Sequence, residues 1–218
     1  MNTNAKISGI ITILALLVIV IIIAAIALTQ NTSNDVQNSD EAFPSAIRKD
    51  THRLTTAENE EVVVVEFLDF ECESCGAAHP YVEDLRERYG DRVTFALRYF
   101  PLPGHFNSKN AAVAAEAAAQ QGELEAMYNR LFSTQLEWGE ASESHAPLFR
   151  TFAEDLGLDM DQYDEAVADP ETLERVESDF NDGRQLGVES TPTFFVNDTK
   201  VELRSFEDLE AAIRAELQ

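Results

Sequence analysis

The hydrophobic pattern changes period several times along the chain. Val62-Val63-Val64-Val65-Glu66-Phe67-Leu68 is β-branched and apolar on both faces. That is the pattern of a central strand covered on two sides. Ala78, Tyr81, Val82, Leu85 and Tyr89 then fall at helical spacing, with Pro80 inside the run and expected to kink it. Val93 to Phe100 reads as a second strand, and the strand–helix–strand order predicts a parallel pair with a right-handed crossover. From about residue 105 to 187 the pattern is helical. It takes in the Ala-rich run Ala111–Ala119 and the stripes Leu124, Met127, Tyr128, Leu131 and Leu148, Phe149, Phe152. Pro170 stands at a first-turn position ahead of Leu173, Val176 and Phe180. Strand character returns at Thr193–Val196, with Asn197-Asp198 as a tight turn and Lys200–Leu203 as the returning strand. A last helix runs through Leu209, Ile213 and Leu217.

The N-terminal pattern is different. Residues 7–28 are almost wholly apolar and uncharged. At about 1.5 Å rise per residue such a helix crosses a ~30 Å hydrocarbon core. Lys6 precedes it and many acids follow. The positive-inside rule therefore puts residues 1–6 in the cytoplasm and the folded domain outside, as a single-pass protein of the cell membrane. A cleaved signal peptide is the alternative, with Ala25-Ile26-Ala27 as its cleavage site and a secreted product. The apolar run exceeds the usual ~7–15-residue core of such peptides, which favours the anchor. Residues 29–57, polar at first and weakly patterned after, read as a flexible linker. Residues 58–218 read as one domain.

Charge narrows the partners. The net charge is −24, from 40 acids against 16 bases, which disfavours nucleic acid, whose phosphates need a basic face. The bases are 12 Arg and 4 Lys. Acid-rich, Lys-poor surfaces suit concentrated salt, where carboxylate repulsion is screened.

The candidate chemistry sits where the first strand meets the first helix. Cys72 and Cys75 are the only cysteines, spaced Cys-x-x-Cys. At a helix start the first sulfur lies among amide N–H groups with no intrahelical partner, at the positive end of the dipole. Both stabilise a thiolate, the form that attacks disulfides. Cys72 is thus the expected nucleophile, and Cys75, one turn in, the resolving thiol. A purely structural bridge is the weaker reading, because closing so short a loop removes little chain entropy. Zinc needs four ligands and would have to recruit His79 and His105 or carboxylates, so no metal is assigned.

Four features resemble the membrane-anchored, DsbA-like branch of the thioredoxin superfamily. They are the strand leading into Cys72-Glu73-Ser74-Cys75, Glu66 six residues before it, Pro80 five residues after it, and the segment Gly187-Val188-Glu189-Ser190-Thr191-Pro192-Thr193-Phe194-Phe195-Val196-Asn197. Arg98-Tyr99-Phe100-Pro101-Leu102 and His105 resemble the junction to that family's inserted helical domain. The resemblance implies an α/β thioredoxin fold with an all-helical insertion at about 105–187, preceded by the transmembrane helix. It implies a cis Thr191–Pro192 bond beside the sulfurs, where backbone pairs with an extended substrate. It makes Glu66 a buried proton acceptor for Cys75. No cofactor is implied beyond the Cys pair, only exported protein thiols or disulfides as substrates and a redox partner that resets the pair.

The resemblance leaves three functions open. They are net oxidation of exported proteins, reduction or isomerisation by the same site, and a holdase-like peptide-binding module with incidental thiols. Between the cysteines the chain departs from the family, which commonly has Pro-His or Pro-Tyr there. Glu73-Ser74, with Asp69 and Glu71 close by, is expected to oppose the Cys72 thiolate by like-charge repulsion. The disulfide should then be less oxidising than in the strongest oxidants.

Overall fold

The computed structural model describes residues 45–218. The expected cytoplasmic residues 1–6, the anchor at 7–28 and most of the linker lie outside the described residues. Among those described, no helix is long and apolar enough to cross a membrane.

Five strands form one mixed sheet: β1 (His52–Thr55), β2 (Val62–Leu68), β3 (Val93–Tyr99), β4 (Thr193–Val196) and β5 (Thr199–Lys200), in the order β1-β3-β2-β4-β5. β2 is central and every one of its residues is buried, as its unbroken apolar run requires. It pairs parallel with β3, from Val62 opposite Val93 to Leu68 opposite Tyr99. It pairs antiparallel with β4, where Glu66 faces Phe194 and Phe67 faces Thr193. That register brings the start of β4 to the end of β2, beside the cysteines.

Helix α1 (Glu73–Tyr89) makes the crossover from β2 to β3, with Pro80 inside it. It buries Cys75, Ala78, Val82 and Leu85. With the last helix, α8 (Glu207–Glu216), it covers one face of the sheet through Val62, Val64, Phe95, Leu209 and Ile213. Between β3 and β4 comes the insertion: α2 (Ser108–Ala119), α3 (Leu124–Ser133), α4 (Gln135–Trp138), α5 (Ala146–Asp155), α6 (Met160–Ala168) and α7 (Pro170–Gln185). Its core joins Tyr128, Leu131, Trp138 and Phe149 to Phe70, Cys72 and Cys75 of the active loop.

The other sheet face, with Val65, Phe67 and Phe100, is covered by Val188 and Phe180. Gly183 lets α7 lie close here, since a Cβ on it would come within 2.8 Å of the Phe100 ring. A buried ion network fixes the same contact. Arg98, fully buried on β3, donates to Asp179 at 2.7 Å and Asp182 at 2.6 Å on α7, and to the Ser45 carbonyl at 3.1 Å. Asp179 also accepts the Tyr99 N–H at 3.2 Å. Every such buried charge needs a partner, so this network sets how the insertion seats on the sheet.

Two boundaries differ from the sequence reading. The domain starts before residue 58. β1 pairs antiparallel with β3, with His52 opposite Leu97, and Ser45 donates to Asp198 at 2.7 Å. A four-residue edge strand carrying one apolar residue, Leu54, has too little period to stand out. The returning strand is also shorter than Lys200–Leu203. It is Thr199–Lys200, reached through left-handed Asn197 and Asp198. Beyond it only the Val201 N–H continues the pairing, to the Phe194 carbonyl at 2.9 Å. Val201 and Leu203 pack instead on the α1/α8 cluster.

Candidate functional site

Cys72 is the N-cap residue of α1, extended at φ −68° and ψ 119°. Its carbonyl accepts the Gly76 N–H at 3.0 Å, the first hydrogen bond of the helix, and its own N–H donates to the Asp69 carbonyl at 3.1 Å. The turn thus presents the sulfur to the free amides of the first helical turn. Both cysteines are thiols; Cys72 is 8% exposed and Cys75 fully buried.

The two sulfurs sit in opposed environments. Cys72 falls from 9.0 to about 5, chiefly because the Cys75 thiol donates to it. Partial burial works against this, and Thr191 and the Cys75 and Ser74 N–H groups add to it. That lies between the ~7 of thioredoxin and the ~3.5 of the strongest oxidant. Cys75 is pushed well above 9.0, first by burial, then by donating to Cys72, then by the negative charge of Glu66 and Cys72. A nucleophile and a proton-holding partner therefore face each other.

Glu66 lies on β2, 4% exposed. Burial, with smaller contributions from the negative Glu83 and Cys72, lifts it from 4.5 to about 8. A carboxyl so placed holds a proton at neutral pH beside a thiol that must lose or gain one.

Thr191–Pro192 is cis, and the Thr191 carbonyl accepts the Cys72 S–H at 3.4 Å. The Thr191 side chain also favours the Cys72 thiolate; its buried hydroxyl has no hydrogen-bond partner in the fold and is free to donate to the anion. Thr191→Val, which keeps the shape and removes the hydroxyl, is expected to raise the Cys72 pKa by about 0.5–1 unit, the worth of one modest hydrogen bond. Thiolate absorbance followed against pH measures it. An unchanged titration would remove Thr191 from the set that stabilises the sulfur.

The three neighbouring acids, expected to act alike on the sulfur, are held differently. Asp69 is buried and its carboxylate is engaged by other groups. It accepts the Glu71 N–H at 2.9 Å and the Leu102 N–H at 3.0 Å, and its Oδ2 lies 2.6 Å from His105 Nδ1. Glu71 is buried too and accepts the Asn107 N–H at 2.6 Å. Burial raises its pKa, as does Asp69, while the Asn107 N–H and His105 work in the opposite direction. Glu73 points into solvent. His105 is the residue whose part the sequence hid. Partial burial lowers its pKa, but Asp69, Glu71 and Cys72 outweigh that and raise it. The imidazole is therefore biased toward its charged form by the acids and the thiolate around it. His79, the other candidate ligand, packs against Tyr128 and Phe132, with ring centroids 5.1 and 5.0 Å away, and pairs with Asn129 at 3.0 Å.

Gln135 of α4 was likewise invisible in the sequence. Its amide donates to the Phe70 carbonyl at 2.7 Å and the Cys72 carbonyl at 2.9 Å.

A thioredoxin-like oxidoreductase from Silicibacter pomeroyi DSS-3 is similar to this chain at 27% identity and a TM-score of 0.67, over 81% of this chain and 98% of that one. A variant of alpha-DsbA1 from Wolbachia pipientis shares the fold at 20% identity and a TM-score of 0.63, over 78% and 90%. In sequence, the Na(+)/H(+) antiporter NhaA 1 of Mycobacterium sp. (strain KMS) is 38% identical over 141 residues, which is 62% of this chain and 22% of the antiporter. The chain thus spans about a fifth of the length of the curated relatives it matches. Fold and dithiol together define a thioredoxin-like domain with a Cys-x-x-Cys site, in the fold shared with alpha-DsbA1. The family model described as Thioredoxin matches residues 48–215, and the chain belongs to that family.

Proposed function

We propose that this protein oxidises exported proteins outside the cytoplasm, held at the membrane by residues 7–28. The observation that carries the direction is the opposed state of the two sulfurs. An environment that favours the Cys72 anion stabilises the reduced pair, and a stabilised reduced pair makes its disulfide an oxidant. A substrate thiolate attacks Cys72 of the Cys72–Cys75 bridge. The S–S bond breaks, and Cys75 leaves and takes up a proton from Glu66. A second substrate thiolate then attacks the substrate sulfur of the mixed disulfide, and Cys72 leaves as the thiolate. The substrate gains one disulfide, the enzyme gains two electrons, and an extracytoplasmic redox partner must remove them. The edge at Thr191–Pro192 is the docking strand for an extended substrate.

The compartment rests on the apolar run 7–28 with Lys6 before it. The antiporter relatives support a domain of this kind occurring within longer chains; ion exchange is named for those whole proteins. To test the reading, the oxidised protein is mixed with a reduced, multi-cysteine secreted protein. Expected are disulfides in the substrate, an equilibrium with glutathione lying toward the reduced enzyme, and a mixed disulfide trapped on Cys72 in the Cys75→Ser variant. An equilibrium lying toward the oxidised enzyme would favour reduction or isomerisation. Full biological activity without either cysteine would favour the peptide-binding reading.

A further inference from the structure

We propose that Gln135 is a positioning residue for Cys72, through which the helical insertion fixes the peptide that opens α1 and so sets how well the helix end stabilises the sulfur's anion. The inference rests on the dithiol chemistry proposed above. Gln135 lies in a helix of four residues whose far end is the fully buried Trp138. Its own side chain is buried, while that of the next residue, Leu136, is 99% exposed. α4 is therefore anchored at Trp138, faces water through Leu136 and reaches the active loop through Gln135.

The contact is specific. One nitrogen, Nε2, bridges two carbonyls of the loop, Phe70 at 2.7 Å and Cys72 at 2.9 Å. The Cys72 carbonyl is the one that also accepts the Gly76 N–H at 3.0 Å. It is held from the helix side and from the insertion side at once, which fixes the Cys72–Glu73 peptide plane. The next amides along, those of Ser74 and Cys75, are the ones that stabilise the Cys72 sulfur. Rotating the plane swings them off it. The side chain is neutral, so it acts by direction and adds no charge of its own.

Gly76 is the second half of the device. A Cβ there would stand 2.1 Å from Gln135 Oε1 and 2.9 Å from Cδ. Only a residue without a Cβ lets the amide lie against the first turn of α1. Two residues from different parts of the fold thus meet at one carbonyl.

The test compares Gln135→Met, which keeps length and removes the donor, with Gly76→Ala, which displaces the amide from the opposite side. Leu136→Ala serves as a neighbour with no such contact. Cys72 is titrated by its thiolate absorbance, and the pair is equilibrated with glutathione. Expected in both variants is a rise in the Cys72 pKa of about one unit, and a shift of about tenfold in the glutathione equilibrium toward the oxidised enzyme. Leu136→Ala should match the parent. A folded Gln135→Met or Gly76→Ala with the parent's titration and equilibrium, even at a lower unfolding midpoint, overturns the proposal and leaves Gln135 a packing residue. If one variant does not fold, the other decides. Failure of the parent itself to equilibrate with glutathione would instead sink the dithiol function.

Discussion

Glu66→Gln is expected to make the folded protein more stable above pH 8 by as much as about 5 kcal/mol, and to leave it unchanged near pH 4. The folded carboxyl is lifted from 4.5 to about 8, with burial as the main cause. The unfolded chain releases that proton near pH 4.5, and the folded chain keeps it. Between these values the folded state binds more protons, so its stability falls as pH rises, by about 1.4 kcal/mol per unit, and levels off above pH 8. Glutamine has no such proton to lose. Urea unfolding of the oxidised protein at pH 4, 7 and 9 measures this, because the bridged pair removes the Cys72 charge and leaves burial and Glu83 as causes. Parallel pH profiles for parent and variant would show that Glu66 is not held neutral. The same change should slow the steps that move the Cys75 proton by roughly a hundredfold, the lower range for a positioned acid or base, while attack by Cys72 on a small disulfide stays near normal. Gain of stability with loss of rate is the pattern of a functional group kept at a structural cost.

The parts of this site that were legible in the sequence share one property: a local pattern carries them. β2 is six apolar positions broken by one acid, and the break is what marks Glu66. The Cys-x-x-Cys spacing at a change of period placed Cys72 at a helix start. Thr191-Pro192 ahead of Thr193–Val196 placed the facing segment. The parts that stayed hidden depend on where side chains turn. Asp69, Glu71 and Glu73 look alike in a string and were expected to act alike on the sulfur. In the fold Asp69 is tied to His105, 36 residues on, Glu71 is buried against Asn107, and Glu73 faces water. Gln135 is a polar residue in a helix too short to have a period, and its partners are carbonyls that a sequence never displays. β1 failed for a third reason, since an edge strand needs few apolar residues when only one face is covered.

The reduced protein is expected to gain on the oxidised one in stability as pH rises above 5, and to draw level with it or pass it near pH 7. The Cys72 thiol titrates at about 5 in the fold against 9.0 ordinarily. The group is depressed, so its contribution is complete above the ordinary value and is lost as pH falls through 5. At pH 7, two units above the folded value, it reaches at most about 2.7 kcal/mol, and residual solvent at the sulfur screens part of it. At pH 4 almost nothing is left. Against this stands the bridge itself, which closes a loop of four residues and by chain entropy stabilises the oxidised form by roughly 2 kcal/mol. The two effects are close enough for pH to decide between them. Below pH 5 the oxidised form should unfold at the higher urea concentration; near pH 7 the order should be equal or reversed. Glu66 permits this, because it is still protonated at pH 7 and puts no second negative charge beside the thiolate. Thr191→Val, with its weaker thiolate, should move the crossover to higher pH. A difference between the two forms that does not change from pH 4 to pH 7 would mean that the thiolate is not what stabilises the reduced pair, and the case for net oxidation would go with it.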